Sequence, residues 1–202
     1  MIKKCITATL LLLLLSVASA PASQPQQVLR EHVNAVIALL QSHPDGQKAE
    51  RNTLNEKLKA IIGEMFDYEH LAQLALGSNW RTFSSEQKKR FANTFADLLG
   101  TVYINRMRGD FSDLSVQYTG DEILSETKAV VLSNIHRNGV ETPVDYYLLK
   151  TGSKWRVYNV KIEGVSMVSN YRSQFDKLLL KDSPDQLIER LEKRLAEIHS
   201  GD

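Results

Sequence analysis

Apolar and polar positions change period about half-way along the chain, and that change sets the expected order of elements. From Gln26 to Leu40, Leu29, Val33, Val36, Ile37 and Leu40 recur at i, i+4, i+7, i+8 and i+11, the stripe of an amphipathic helix closed by Pro44-Asp45-Gly46. A second helix is expected from about Glu50 to Glu64, with Leu54, Leu58, Ile61 and Ile62 on its apolar side. Asp67 is placed to cap a short helix that ends at Gly77. Ser84 opens the longest helix, with Gln87 as its capping-box partner and a bulky face of Phe91, Phe95, Leu98, Leu99, Val102 and Tyr103.

Beyond Arg106 the period shortens to two. Leu114 to Tyr118 reads as a short strand and Lys128 to Arg137 as a longer one, and Asn138-Gly139 predicts a tight hairpin into a return strand over Val140 to Lys150. Another turn at Thr151 to Ser153 leads to a strand from Lys154 to Glu163, so the expectation is an antiparallel meander. These strands carry apolar residues at both parities: Val130 and Leu132 alternate with Val131, and Tyr146 and Leu148 with Tyr147 and Leu149. A sheet wet on one side alternates more cleanly, so both faces are expected to be covered at least in part. Parity alone leaves open whether Tyr146 or Tyr147 faces inward. A helix from about Val165 to Lys181 follows, and Ser183-Pro184 with Gln186 starts a last one on Leu187, Leu191, Leu195 and Ile198. Helices, then an antiparallel sheet, then helices is an α+β order.

The N-terminus changes the picture by setting a compartment. Lys3 and Lys4 precede an apolar run from Ile6 to Val17 and then small residues, the layout of a secretory signal peptide and too short a run for a membrane span. Pro21 obstructs a cut after Ala20, so cleavage is expected after Ala22, leaving one domain over 23–202: helical from 25 to 108, sheet from 113 to 163, helices from 165 to 199. Cys5 precedes the apolar run and is lost with it, so no disulfide or lipid-bearing cysteine is expected and burial must stabilise the fold. Without Lys3 and Lys4, 23 basic residues face 24 acidic ones, which gives no electrostatic case for binding nucleic acid.

Candidate chemistry is sparse. Gly164-Val165-Ser166-Met167-Val168 is half of a nucleophile elbow, but Val168 stands where a sharp turn needs the second glycine. The plainer reading is that Gly164 permits close backbone approach and Ser166 caps the next helix. His32, His43, His70, His136 and His199 are scattered, and Asp67-Tyr68-Glu69-His70 reads as a helix start with acids near the positive end of the dipole. No metal site, phosphate loop or cofactor is expected. Arg81, Arg90, Arg106, Arg108 and Arg172 are the guanidinium groups considered for a pocket mouth, where a phosphate is matched by their planar fork.

Two blocks of residues carry a family likeness. The first holds Phe66-Asp67, Leu76-Gly77, Trp80-Arg81, Gln87, Arg90-Phe91, Phe95, Leu98-Leu99 and Tyr103. The second holds Asp145-Tyr146, Trp155, Val157-Tyr158, Gly164, Ser166, Asn170-Tyr171-Arg172 and Phe175. In order and spacing they resemble the MlaC-type family of periplasmic phospholipid-binding proteins, also called toluene-tolerance auxiliary proteins. One departure is Asn159, where the family more often has an aspartate.

The resemblance implies a strongly curved sheet of the cystatin or NTF2-like kind, wrapped by helices around an apolar cavity. It implies that large side chains which would otherwise fill a core line a pocket for lipid: Phe91, Phe95, Leu98, Leu99, Val102 and Tyr103 from the long helix, Tyr146, Leu148, Val160 and Ile162 from strands, and Val165 and Met167 beyond them. The function it implies is a non-enzymatic periplasmic shuttle of diacyl phospholipid that maintains outer-membrane lipid asymmetry. Its implied partners are an inner-membrane ABC-type lipid transport complex and an outer-membrane lipoprotein–porin complex. Three other readings stand beside it: a carrier of another apolar ligand such as a hopanoid, a small NTF2-like isomerase with Asp145 as its buried base, and a structural adaptor with a filled core.

Overall fold

The computed structural model describes residues 22–43, 48–107 and 109–200. Residues 1–21 of the expected signal peptide, the Pro44-Asp45-Gly46 stop and Arg108 lie outside the described residues. Helix α1 (Gln24–Gln41) is capped by the Ser23 side chain and is followed by α2 (Lys48–Met65) and α3 (Tyr68–Leu76). Asp67 Oδ1 accepts from the His70 amide at 3.0 Å to start α3, and Gly77, at φ +55°, ends it. A 3-10 turn (Gly77–Thr82) leads to α4 (Ser85–Arg106). The expected capping box is formed: Ser84 Oγ accepts from the Gln87 amide at 3.2 Å and the Gln87 side chain from the Ser84 amide at 2.9 Å.

The sheet has five strands in the order β1 (Ser115–Ser125), β2 (Lys128–Arg137), β3 (Val140–Thr151), β4 (Lys154–Ile162) and β5 (Val165–Ser166), each antiparallel to the next. Asn138 and Gly139, both at positive φ, make the hairpin between β2 and β3. Glu163 and Gly164 repeat that device between β4 and β5, at φ +50° and +79°. Helices α5 (Met167–Leu179) and α6 (Pro184–Ser200) complete the chain.

Two boundaries differ from the sequence reading. β1 continues past Tyr118 to Ser125, because a bulge at Thr119 lets it keep pairing with β2 through a mixed, largely exposed run that includes Asp121, Glu122, Ile123 and Leu124. Val165 belongs to β5 and not to the next helix: it pairs with Ile162, and α5 begins at Met167. Gly164 also has a different role from the one expected. Nothing lies within 4 Å of where its side chain would be, so the glycine serves the left-handed turn and not a close approach.

Buried side chains gather in three clusters. In the first, Phe91, Phe95 and Leu98 of α4 pack with Leu71 and Leu76 of α3, Phe175 of α5 and Leu187 and Ile188 of α6. The rings of Phe91 and Phe95 lie 5.5 Å apart, each edge-on to Phe175 at 5.4 and 5.2 Å. The second joins Leu29 and Val33 of α1 to the inner face of the sheet through Val131, Tyr146, Leu148, Trp155 and Val157. The third joins Leu40, Leu54, Leu58 and Ile104 to Phe111. Behind α4, Arg90 grips Glu192 of α6 with two hydrogen bonds of 2.8 and 2.6 Å.

Phe91 and Phe95 are 0 % and 1 % exposed within the helical cluster, so they are core residues. Replacing Phe91 by alanine is expected to remove about 3–5 kcal/mol of stability, measured by urea unfolding, because the site is closed on every side.

Candidate functional site: an apolar hollow where three clusters meet

The three clusters do not merge. Between them lies a cavity of about 340 Å³. Each cluster supplies part of the wall: Leu99, Tyr103, Phe66 and Met167 from the first, Val33, Val144, Tyr146 and Val160 from the second, Leu40, Ile62, Met107 and Phe111 from the third. Arg137 is the one charged residue of the described lining. An apolar cavity of about 150 Å³ stays dry and takes up benzene, so a space more than twice that size suits hydrocarbon better than water.

Curvature of the sheet makes the hollow. Tyr158 is an extra residue in β4, since Tyr147 pairs with Asn159 while the next residue of β3, Leu148, pairs with Val157. The bulge reverses parity, so Val157 and Val160, three apart in sequence, share the inner face. It also bends the strand. Tyr158 itself packs against His70 and Tyr147, with ring centroids 5.2 and 6.3 Å away.

Two phenols of the wall, Tyr68 and Tyr146, are held in the neutral form by burial. Burial, with Asp97 adding a smaller push, drives the Tyr68 hydroxyl up to about 12. Burial likewise raises Tyr146, with a further contribution from Tyr118, while a hydrogen bond to Ser133 works the other way. Neither phenol ionises at neutral pH, so both residues border the hollow as neutral groups.

The structure sorts the twelve pocket candidates into two halves. Leu99, Tyr103, Tyr146, Val160, Ile162 and Met167 line the hollow. Phe91, Phe95, Leu98 and Val102 do not, because that part of α4 turns towards α3, α5 and α6 and packs there. Leu148 is buried in the sheet cluster beside Val157, outside the described lining. Val165 is 64 % exposed on the short edge strand. The sequence reading missed the opposite wall, formed by Val33, Val36, Ile37 and Leu40 of α1 with Ile62 and Met65 of α2. Its signal was present in the α1 stripe, which carries aliphatic residues along its whole length.

The arginines are also placed. Arg90 is committed to Glu192, and Arg172 donates to the Leu74 carbonyl at 2.8 Å, closing the end of α3. Arg106 lies 5.7 Å from the centre of the Tyr103 ring, and Arg81 is exposed. The guanidinium at the hollow is instead that of Arg137. Its Nε and Nη2 donate to the Asp110 carbonyl at 3.2 and 3.1 Å, and it stacks 3.8 Å above the centre of Phe111.

Neither catalytic candidate sits at the hollow. Asp145 lies on the outer face of β3, between Leu132 and Lys161 on the neighbouring strands, while Tyr146 points the other way. Ser166 caps α5, accepting from the Ser169 amide at 3.2 Å, and donates to Asn159 Oδ1 at 3.2 Å. Among the described residues no group of three or more His, Cys, Asp or Glu is placed to hold a metal ion.

Residues 30–193 match the family described as MlaC protein. The chain belongs to the MlaC family. Within it, the intermembrane phospholipid transport system binding protein MlaC of Haemophilus influenzae is 22 % identical over 176 residues, covering 85 % of this chain and 82 % of that protein. The toluene tolerance protein ttg2D of Pseudomonas putida is 22 % identical over 166 residues, covering 81 % and 77 %. A solved structure of a phospholipid-binding protein from Ralstonia solanacearum, in complex with a phospholipid, matches with a TM-score of 0.75 at 24 % identity. It covers 88 % of this chain and 99 % of that one, and establishes a shared α+β fold.

Asn159, the departure from the MlaC pattern, now has a role. Its Oδ1 accepts from the Val168 amide at 3.1 Å as well as from Ser166, so one oxygen ties β4 to the first turn of α5 beside Met167 of the hollow. An aspartate offers the same acceptor and adds a charge that a helix start favours. Asn159→Ala is expected to cost about 1–3 kcal/mol by leaving a buried amide unpaired, and Asn159→Asp to retain stability at neutral pH, both read by urea unfolding.

Proposed function

We propose that this chain is a periplasmic carrier of diacyl phospholipid, passing lipid between an outer-membrane lipoprotein–porin complex and an inner-membrane ABC-type transport complex to keep the outer membrane asymmetric. The observation that carries the reading is the hollow: a space of about 340 Å³ bounded by apolar side chains from every layer of the fold. Membership of the MlaC family, and the phospholipid transport for which its Haemophilus influenzae relative is named, support the choice of lipid over other apolar cargo. The leader-like N-terminus supports the compartment. Among the described residues no helix is long and apolar enough to cross a membrane.

The physical case rests on the cost of hydrocarbon in water. At about 0.8 kcal/mol per CH₂, two acyl chains carry a gross transfer penalty above roughly 20 kcal/mol, which no transient surface patch offsets. The chains therefore go inside and the hydrated headgroup stays out. Six residues of the sequence-based list are proposed to touch acyl chain: Leu99, Tyr103, Tyr146, Val160, Ile162 and Met167. With Arg137 alone carrying charge in the described lining, recognition reads the chains far more than the headgroup.

Affinity of this kind makes spontaneous release slow, so unloading needs a partner that offers an equally apolar route. The chain has no nucleotide-binding loop among its motifs, and the energy for directional transfer comes from the partner. No cofactor takes part; the lipid is cargo. The isomerase reading loses its base, because Asp145 stands on the far side of the sheet from the hollow.

Native mass spectrometry of the chain expressed with its leader is expected to show copurified phospholipid, and a preparation that carries none under gentle conditions would count against the carrier. Leu99→Trp is expected to reduce that lipid while the protein still folds. If Leu99 instead sat in a filled core, overpacking would cost about 1–3 kcal/mol and leave the lipid content unchanged, so lipid extraction and unfolding together separate the cases.

A further inference from the structure

Gly100 stands inside α4, between Leu99 and Thr101, and lines the hollow. A glycine in a helix interior is less stable than alanine, so its presence calls for a compensating reason. The usual ones are missing. Its φ is not among the positive values, so the backbone there does not require glycine. Nor does it make room for a crossing helix: a Cβ at this position would meet no heavy atom within 4 Å beyond its own helix. It is not a helix end either, since α4 runs on to Arg106.

The space its side chain would fill is the hollow. Gly63 of α2 provides the contrast, being also clear of neighbours within 4 Å but exposed to solvent and outside the described lining. On one side of Gly100, Leu99 and Tyr103 continue the wall; on the other, Ile104 is buried with Leu58 and Leu40. Gly100 is therefore a bare stretch of helix between two occupied ones.

We propose that Gly100 sets the hydrocarbon capacity of the cavity: an acyl chain lies against the exposed backbone of α4 at this point, and side-chain volume here determines how much chain the protein holds. The inference rests on the carrier reading and deepens it by naming a residue that selects for acyl-chain length. A side chain at position 100 displaces methylenes directly, and each one excluded weakens binding by about fourfold. Because the surrounding space is open, the substitution carries no packing penalty of its own.

The test compares Gly100→Ala, Gly100→Leu and the control Gly63→Ala in the full chain, measuring the chain-length distribution and amount of extracted lipid, and Tm after delipidation. Gly100→Leu is expected to shift bound lipid to shorter chains or to lower its amount, with Tm no lower than in the unsubstituted protein. Gly100→Ala is expected to act in the same direction more weakly and to raise Tm by about 2–4 °C, as Gly63→Ala does while leaving the lipid unchanged. An unsubstituted protein with bound lipid whose chain distribution and amount are the same in Gly100→Leu overturns this inference alone. A lower Tm with unchanged lipid also overturns it, by showing a filled site. Absence of lipid from the unsubstituted protein removes the carrier reading and this inference with it.

Discussion

Apolar side chains in water normally collapse into one continuous core, and the central constraint on this protein is that its three clusters are kept from doing so. Each closes on itself: α3 to α6 around the Phe91, Phe95 and Phe175 rings, α1 against the sheet, and α1, α2 and the end of α4 around Leu58 and Phe111. Each also turns some of its apolar side chains to the hollow between them. The space between them survives because closing it would mean breaking packing already made, in interiors that are dense and hard to deform.

Rigid parts hold the walls in place. Behind α4, the Arg90–Glu192 pair and the aromatic cluster fix the helix to α6 and α5, so its last turns cannot lean inward without dislodging its first. Opposite, the Tyr158 bulge bends β4 and returns Val160 and Ile162 to the inner face. Asn159, next to the bulged residue, ties that bend to the start of α5. The loop after α4 is fastened at its far end by Arg137 on the Asp110 carbonyl and by Gln41 on the Phe111 and Leu114 carbonyls at 3.3 and 3.2 Å. An apolar hollow lined from three clusters depends on such bracing to keep its shape.

Much of the fold was legible because it is written in local chemistry. Ser84 with Gln87, Asp67 and Ser183 mark helix starts through bonds to residues three positions on, and Asn138-Gly139 marks a hairpin through its positive φ values. The site was half legible. Leu99 and Tyr103 were found beside Phe91 and Phe95 because one apolar stripe runs through all four. A stripe gives the face of a helix and not what that face meets: Phe91 and Phe95 meet other helices, while Leu99 and Tyr103, further along the same stripe, also border the hollow. The wall from α1 and α2 was read as ordinary amphipathic helix for the same reason, and Arg137 was read as the end of a strand.

By itself the sequence determined the element order, the α+β class, the helix caps, the β2–β3 turn and the family, since each depends on residue types at short or fixed spacing. Tertiary structure alone decided that Tyr146 and not Tyr147 faces inward, that Val157 and Val160 share a face, that Val165 pairs as a strand, and that a glycine in a long helix borders a void. Parity in a sheet depends on where a bulge falls, and a cavity depends on what is absent between distant segments. Neither leaves a mark on the local pattern of residues.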